Sequence, residues 1–210
     1  MKRRTLVATL GSAVVGAVAG CSGGSGGEGT ETATATPTET ATPTETATPT
    51  ETATPAPPTH AVGERFVVGE GENAIPYTVR GFRRSDRIGP EAIGTTADDV
   101  FLIVLLTVEN TGDSTMDVPS RNIVARAPGV RKNVDEDASE TAAEDDRMDQ
   151  ESLALATVPA GESRTGVLVY DVPPGNAYRI EFTPTGDAGE AHYVEVGPIG
   201  EVTSLSAEGF

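Results

Sequence analysis

No Phe, Tyr or Trp precedes Phe66, so of the 210 residues only those from about position 61 onward can build an apolar core. Ser22 to Gly29 is rich in Gly and Ser. Thr38 to Pro55 is three copies of Thr-Glu-Thr-Ala-Thr-Pro, with a looser version over Thr30 to Pro37. A six-residue period without a large apolar side chain has no face to bury, so residues 21–60 are expected to be a disordered stalk and not a solenoid. Proline at every sixth position and the charges of Glu31, Glu39, Glu45 and Glu51 favour extension. From Ser22 to Thr59 such a segment reaches about 100 Å if fully polyproline-like and roughly 35 Å as a flexible coil. Dense Thr with Pro is also the composition of O-glycosylated stalks.

The segment before the stalk has three parts. Lys2, Arg3 and Arg4 supply a positive start, Leu6 to Ala19 an apolar run, and Val18, Ala19 and Gly20 a small-residue end before Cys21. The run is about 14 residues, short of the roughly 20 that span a bilayer as a permanent helix. Arg3-Arg4-Thr5-Leu6-Val7 resembles the twin-arginine export signal, and Val18-Ala19-Gly20-Cys21 resembles a lipobox, in which a peptidase cuts before a cysteine that carries lipid. These resemblances imply a lipoprotein signal peptide over residues 1–20. They also imply that the membrane is reached through a lipid on Cys21, with the rest of the chain displayed on the extracellular face of the cell membrane. Cys21 is the sole cysteine, so an intrachain disulfide is excluded.

The formal net charge is −17, and Lys132 is the only lysine after the signal. Such an acid-rich, lysine-poor balance is self-repelling in dilute buffer, whereas molar salt shortens the Debye length to about 3 Å and removes most of that penalty. The composition reads as that of an extreme halophile, archaeal in type. Nucleic acid and anionic lipid head groups are excluded as partners on charge.

From residue 61 to 210 strand signals alternate with turns. Tyr178, Ile180 and Phe182 alternate with Arg179 and Glu181 and mark one buried face. Tyr77 and Val79 do the same until Phe82 falls out of phase after Gly81, which predicts a bulge. Phe101 to Val108 is almost wholly apolar and predicts a central strand covered on both faces. Further strands are expected over 65–68, 122–126, 165–172 and 192–196. No convincing amphipathic helix is present, and the segment Leu153 to Val158 fits a strand or a helical turn equally. Seven to eight short strands separated by Asn-Thr-Gly-Asp, Pro-Ala-Gly-Glu and Pro-Pro-Gly-Asn turns predict an all-β, immunoglobulin-like antiparallel β-sandwich.

Val62-Gly63-Glu64, the stretch Val104 to Gly112, and Val158 to Ser163 leading into Thr165 to Pro173 are similar to the telokin-like, immunoglobulin-like extracellular domain family. The resemblance covers about residues 62–185. It implies a sandwich in a surface lipoprotein, behind a low-complexity linker, and transfers no catalytic residue. The chain departs from antibody-type domains in lacking the inter-sheet disulfide and Trp, and from the family in an acidic insertion over 132–151.

That insertion holds nine carboxylates between Asp135 and Glu151. Asp135, Asp137 and Asp146 loosely follow a calcium-loop spacing, but Glu140 stands where the loop needs Gly and Asp146 where it needs Glu. An open, solvated acidic loop is the simpler expectation. Arg80, Arg83, Arg84 and Arg87 form the one basic cluster of the domain. They suggest either contact with an envelope protein or glycan, or internal pairing with the acid excess. His60 falls in the stalk and His192 on a strand surface, and with Cys21 in the signal a blue-copper site cannot assemble. Gly69 to Ala74 has acids where a dinucleotide's pyrophosphate would sit, and Gly161 to Gly166 has the wrong spacing for a nucleophile elbow. The expectation is a non-enzymatic surface domain with no cofactor, binding an envelope protein or polymer. The alternative is a calcium-dependent or other metal-dependent surface sensor or enzyme using the acidic loop.

Overall fold

The computed structural model describes residues 56–206 and residue 210. The export signal with Arg3 and Arg4, the lipobox Val18, Ala19 and Gly20, Cys21, and the stalk up to residue 55 lie outside the described residues. In chain order the strands are β1 (Thr59–His60), β2 (Arg65–Val68), β3 (Ile75–Ile88), β4 (Thr95–Glu109), β5 (Met116–Asp117), β6 (Ile123–Ala127) and β7 (Val130–Lys132). After an α-helix, α1 (Glu136–Ala143), come β8 (Glu151–Ser152), β9 (Thr157–Val158), β10 (Ser163–Val172), β11 (Ala177–Phe182) and β12 (His192–Pro198). They form one sheet in the order β1-β12-β11-β6-β7, a second in the order β2-β3-β4-β10-β8, and a small β5-β9 pair. Pairing is antiparallel except for β1 with β12 and β8 with β10.

The result is the expected β-sandwich. It has twelve strands among the described residues where seven to eight were expected, because β1, β5, β7, β8 and β9 are only two or three residues long. Pieces that short carry no alternation to read. Strand pairing begins at Thr59, inside the stretch assigned to the stalk.

The apolar run is the centre of the fold, as its composition demanded. In β4, Val100, Leu102, Val104, Leu106 and Val108 enter the inter-sheet core with Phe66, Tyr77, Ile180 and Phe182. The intervening Phe101 and Ile103 enter a second core on the opposite face. Tyr178, Ile180 and Phe182 are all buried, and the β3–β4 register shifts between Val79 and Gly81, where the bulge was expected.

The second core corrects two expectations, the open acidic loop and the absence of a helix. Residues 136–143 form α1, whose Ala138 and Ala142 pack with Met148 against Ile88, Phe101, Ile103, Val167 and Val169. Asp135 caps the helix by accepting the Ala138 N–H at 2.9 Å, and Glu136 and Asp137 occupy the first turn, where the helix dipole favours acids. Ser139 is wholly buried; its hydroxyl donates to the Asp135 carbonyl at 2.6 Å and accepts the Val169 N–H at 3.0 Å, tying helix to sheet. Charge density masked a short helix whose buried positions are only Ala and Ser. No described helix is long and apolar enough to cross a membrane.

Candidate functional site

Because Tyr178, Ile180 and Phe182 point inward, Arg179 and Glu181 of β11 face out of the first sheet. The register sets Arg179 opposite Arg126 of β6 and opposite Glu195 of β12, and sets Glu181 opposite Tyr193. These side chains build the floor of a groove of about 660 Å³, flanked by Ala127, Pro128 and Ala177.

Glu181 is only 6% exposed although it lies on the outer face. It is roofed by the Arg126 guanidinium, which donates from Nε and Nη2 at 3.0 Å each, and by the Tyr193 hydroxyl, which donates at 3.1 Å. The charge-assisted fork gives the covered carboxylate hydrogen-bond partners in place of water. Arg126 is held above its ordinary value by its bond to Glu181, and the Tyr193 hydroxyl is raised by burial and then by Glu181. Arg179 lies over the Tyr193 ring, its guanidinium carbon 4.0 Å from the centroid. Alternation along Tyr178 to Phe182 placed Arg179 and Glu181 on the outer face, but nothing in the sequence paired them with Arg126 and Tyr193.

At the seam between the sheets β1 brings together the two histidines that sequence reasoning held apart. His60 Nε2 lies 2.9 Å from His192 Nδ1, and His60 Nδ1 lies 2.8 Å from a carboxylate oxygen of Glu64. The His60 ring stacks on Phe66 at 4.3 Å, so His192 is part of a seam and not a plain strand-surface residue. Burial first, and His60 next, lower the His192 pKa, with Glu190 opposing; the His60 bond lowers that of Glu64.

The four arginines of β3 share a strand but take separate partners. Arg80 donates to the Thr107 hydroxyl at 3.1 Å and Arg84 to the Val202 carbonyl at 2.9 Å. Arg87 donates to the carbonyls of Pro90 and Glu91 at 3.0 and 2.6 Å. Arg83 donates to the Phe82 carbonyl at 2.9 Å and lies over the Phe210 ring. Backbone carbonyls, rather than carboxylates, take most of this cluster. In the acidic segment Asp135 serves as helix cap, while Asp137 and Asp146 are exposed. Asp145 carries the buried charge: burial pushes its pKa up, but the Arg147 side chain at 2.6 Å and the backbone N–H groups of Arg147 and Gly89 outweigh that and lower it. Among the described residues no three His, Cys, Asp or Glu side chains gather in a metal-holding group. Gly161 to Gly166 leads into β10, and at Gly166 a Cβ would stand 2.3 Å from the Glu151 carbonyl, so this glycine serves the close approach of β8.

Several solved structures share similarity with the chain. A secreted protein from Mycobacterium tuberculosis, MPT63, is 16% identical over 68% of this chain and 99% of that one, with a TM-score of 0.47. An uncharacterized β-sandwich protein from Clostridium difficile 630 is 14% identical over 70% and 99%, with a TM-score of 0.44. The yjhA protein from Bacillus subtilis is 22% identical over 65% and 98%, with a TM-score of 0.42. No curated protein matches the chain. Residues 62–191, more than half of the chain, match the domain of unknown function DUF4352, and the chain belongs to that family.

Proposed function

We propose that the chain is an exported, lipid-anchored surface domain that binds another component of the cell envelope, without catalysing a reaction, through the groove on the outer face of the β1-β12-β11-β6-β7 sheet. The observation that carries this is the groove floor. On this outward face Glu181 is covered and held in fixed geometry by Arg126 and Tyr193. A preorganised polar floor under an open groove is what selective binding requires. The display arrangement is supported by the sequence: a twin-arginine-type signal at Arg3 and Arg4, a lipobox ending at Cys21, and a Thr/Pro stalk. The acid-rich composition suits a halophilic, archaeal-type envelope, and the strand and turn motifs suit the telokin-like surface domains.

Crosslinking on intact cells, followed by purification through the domain, tests the groove. Ala177 is exposed and lines it, so Ala177→Trp fills the space, and Glu195→Arg alters its wall from another strand. The partner recovered with the wild-type chain is expected to be lost from both variants. Recovery of the same partner in equal yield, from variants with an unchanged unfolding temperature, would reject the groove as the binding surface.

A further inference from the structure

The cross-strand register that builds the groove sets two cations side by side, Arg126 on β6 directly opposite Arg179 on β11. Like charges at opposed positions cost stability, and each needs compensation. Arg126 finds it in Glu181. Arg179 lies on the face of the Tyr193 ring, with Glu195 across from it on β12 but outside ion-pair distance. Among the described residues Arg179 is the one arginine with neither a hydrogen-bond acceptor nor an ion-pair partner in the protein. That is anomalous in a chain with 32 acidic and 15 basic residues, where Arg65, Arg126, Arg147 and Arg164 each reach a carboxylate within 3.1 Å.

Stacking uses the face of a guanidinium and leaves its planar edge of N–H donors open, and that edge matches a carboxylate bidentately. Tyr193 therefore holds Arg179 over its ring face at the border of the groove. The neighbouring wall has the opposite character. Glu195, opposite Arg179 in register and exposed, is an acceptor for hydroxyl groups.

We propose that the groove binds a uronic-acid unit of an envelope polysaccharide, its carboxylate on Arg179 beside Arg126 and its hydroxyls on Glu195. The proposal rests on the groove as the binding surface and names its ligand class. A uronic acid presents one carboxylate set among hydroxyls, which suits two arginines flanked by a glutamate. An acidic protein segment offers the carboxylate without the surrounding hydroxyls, and so leaves Glu195 without donors. The groove of about 660 Å³ is within the roughly 300–1,000 Å³ of sites that hold small ligands.

Isothermal titration of the full chain with a glucuronic acid oligomer, a glucose oligomer of equal length and a pentaglutamate peptide, over a series of salt concentrations, tests this. The glucuronic acid oligomer is expected to bind, the glucose oligomer to show no heat, and pentaglutamate to bind at least tenfold more weakly. Arg179→Gln should weaken the glucuronic acid oligomer at least tenfold, and Arg179→Lys should recover part of the loss, both with unfolding temperatures near wild type. Absence of binding by the wild-type chain, equal binding by Arg179→Gln, or pentaglutamate binding as tight as the sugar acid would overturn the proposal. If Ala177→Trp loses its cellular partner while the glucuronic acid oligomer fails to bind, the groove stands and the ligand class falls. If Ala177→Trp keeps that partner, the groove itself is wrong.

Discussion

His60 Nε2 and His192 Nδ1 face each other across 2.9 Å, with ring planes within 9° and centroids 5.1 Å apart. At that centroid separation the nitrogens point at one another in nearly one plane, so a single proton lies between them. Glu64 occupies the other nitrogen of His60 at 2.8 Å, which orders the chain as carboxylate, imidazole, imidazole. A second proton would set two N–H groups head to head.

Stability should therefore fall on acidification in two stages. The His192 pKa is lowered in the fold, so its contribution is complete above the unfolded value of about 6.5 and is lost as pH falls through the folded value. The Glu64 carboxyl is also lowered, so its contribution persists above the ordinary carboxylate range of about 4.3 and is lost as pH falls below it. The other charged group facing the pair is Glu190, which opposes the His192 shift. Thermal unfolding between pH 8 and pH 2 should show both stages for the wild-type chain and lack the upper one in His192→Gln. An upper stage of unchanged size in that variant would contradict this account.

Removing one partner of the groove's ion pair should cost more than removing both. Arg126→Met leaves Glu181 buried with only the Tyr193 hydroxyl, a loss of about 2–3 kcal/mol. The double variant Arg126→Met with Glu181→Met should recover most of it. Urea unfolding of the two single variants and the double variant measures the coupling, and simple additivity would contradict the geometry.

The acidic segment should behave as packed structure. Met148→Ala empties part of the second core and is expected to cost about 2–4 kcal/mol, whereas Asp146→Asn, at an exposed position, should stay within about 0.5 kcal/mol. Asp135→Ala should cost about 1 kcal/mol as a lost helix cap, equally with added calcium or with chelator. A cost seen only with calcium present would make Asp135 a metal ligand instead.

Cys21→Ser should release the protein into the medium or leave the signal uncleaved, as read by fractionation and intact mass. Retention in the membrane at the normal mature mass would exclude the lipid anchor.

Much of the scaffold was legible in the sequence. The aromatic-free first 65 residues, the apolar run of β4, the alternation of β11 and the bulge at Gly81 are local patterns, and local sterics with side-chain burial are enough to interpret them. The same alternation put Arg179 and Glu181 on an outer face. It could not say what stood beside them.

The pairings that make the site came from tertiary structure. His60 and His192 are 132 positions apart, and Glu181 and Arg126 are 55 apart. A periodic pattern says which face a residue occupies. Strand order and register say which residue lies across from it, and they follow from the packing of whole sheets. The two-residue β1 and the Ala- and Ser-faced α1 are stable only because β12 and the outer face of β4 and β10 receive them. Elements that short or that weakly apolar bury too little on their own to leave a signal in the sequence.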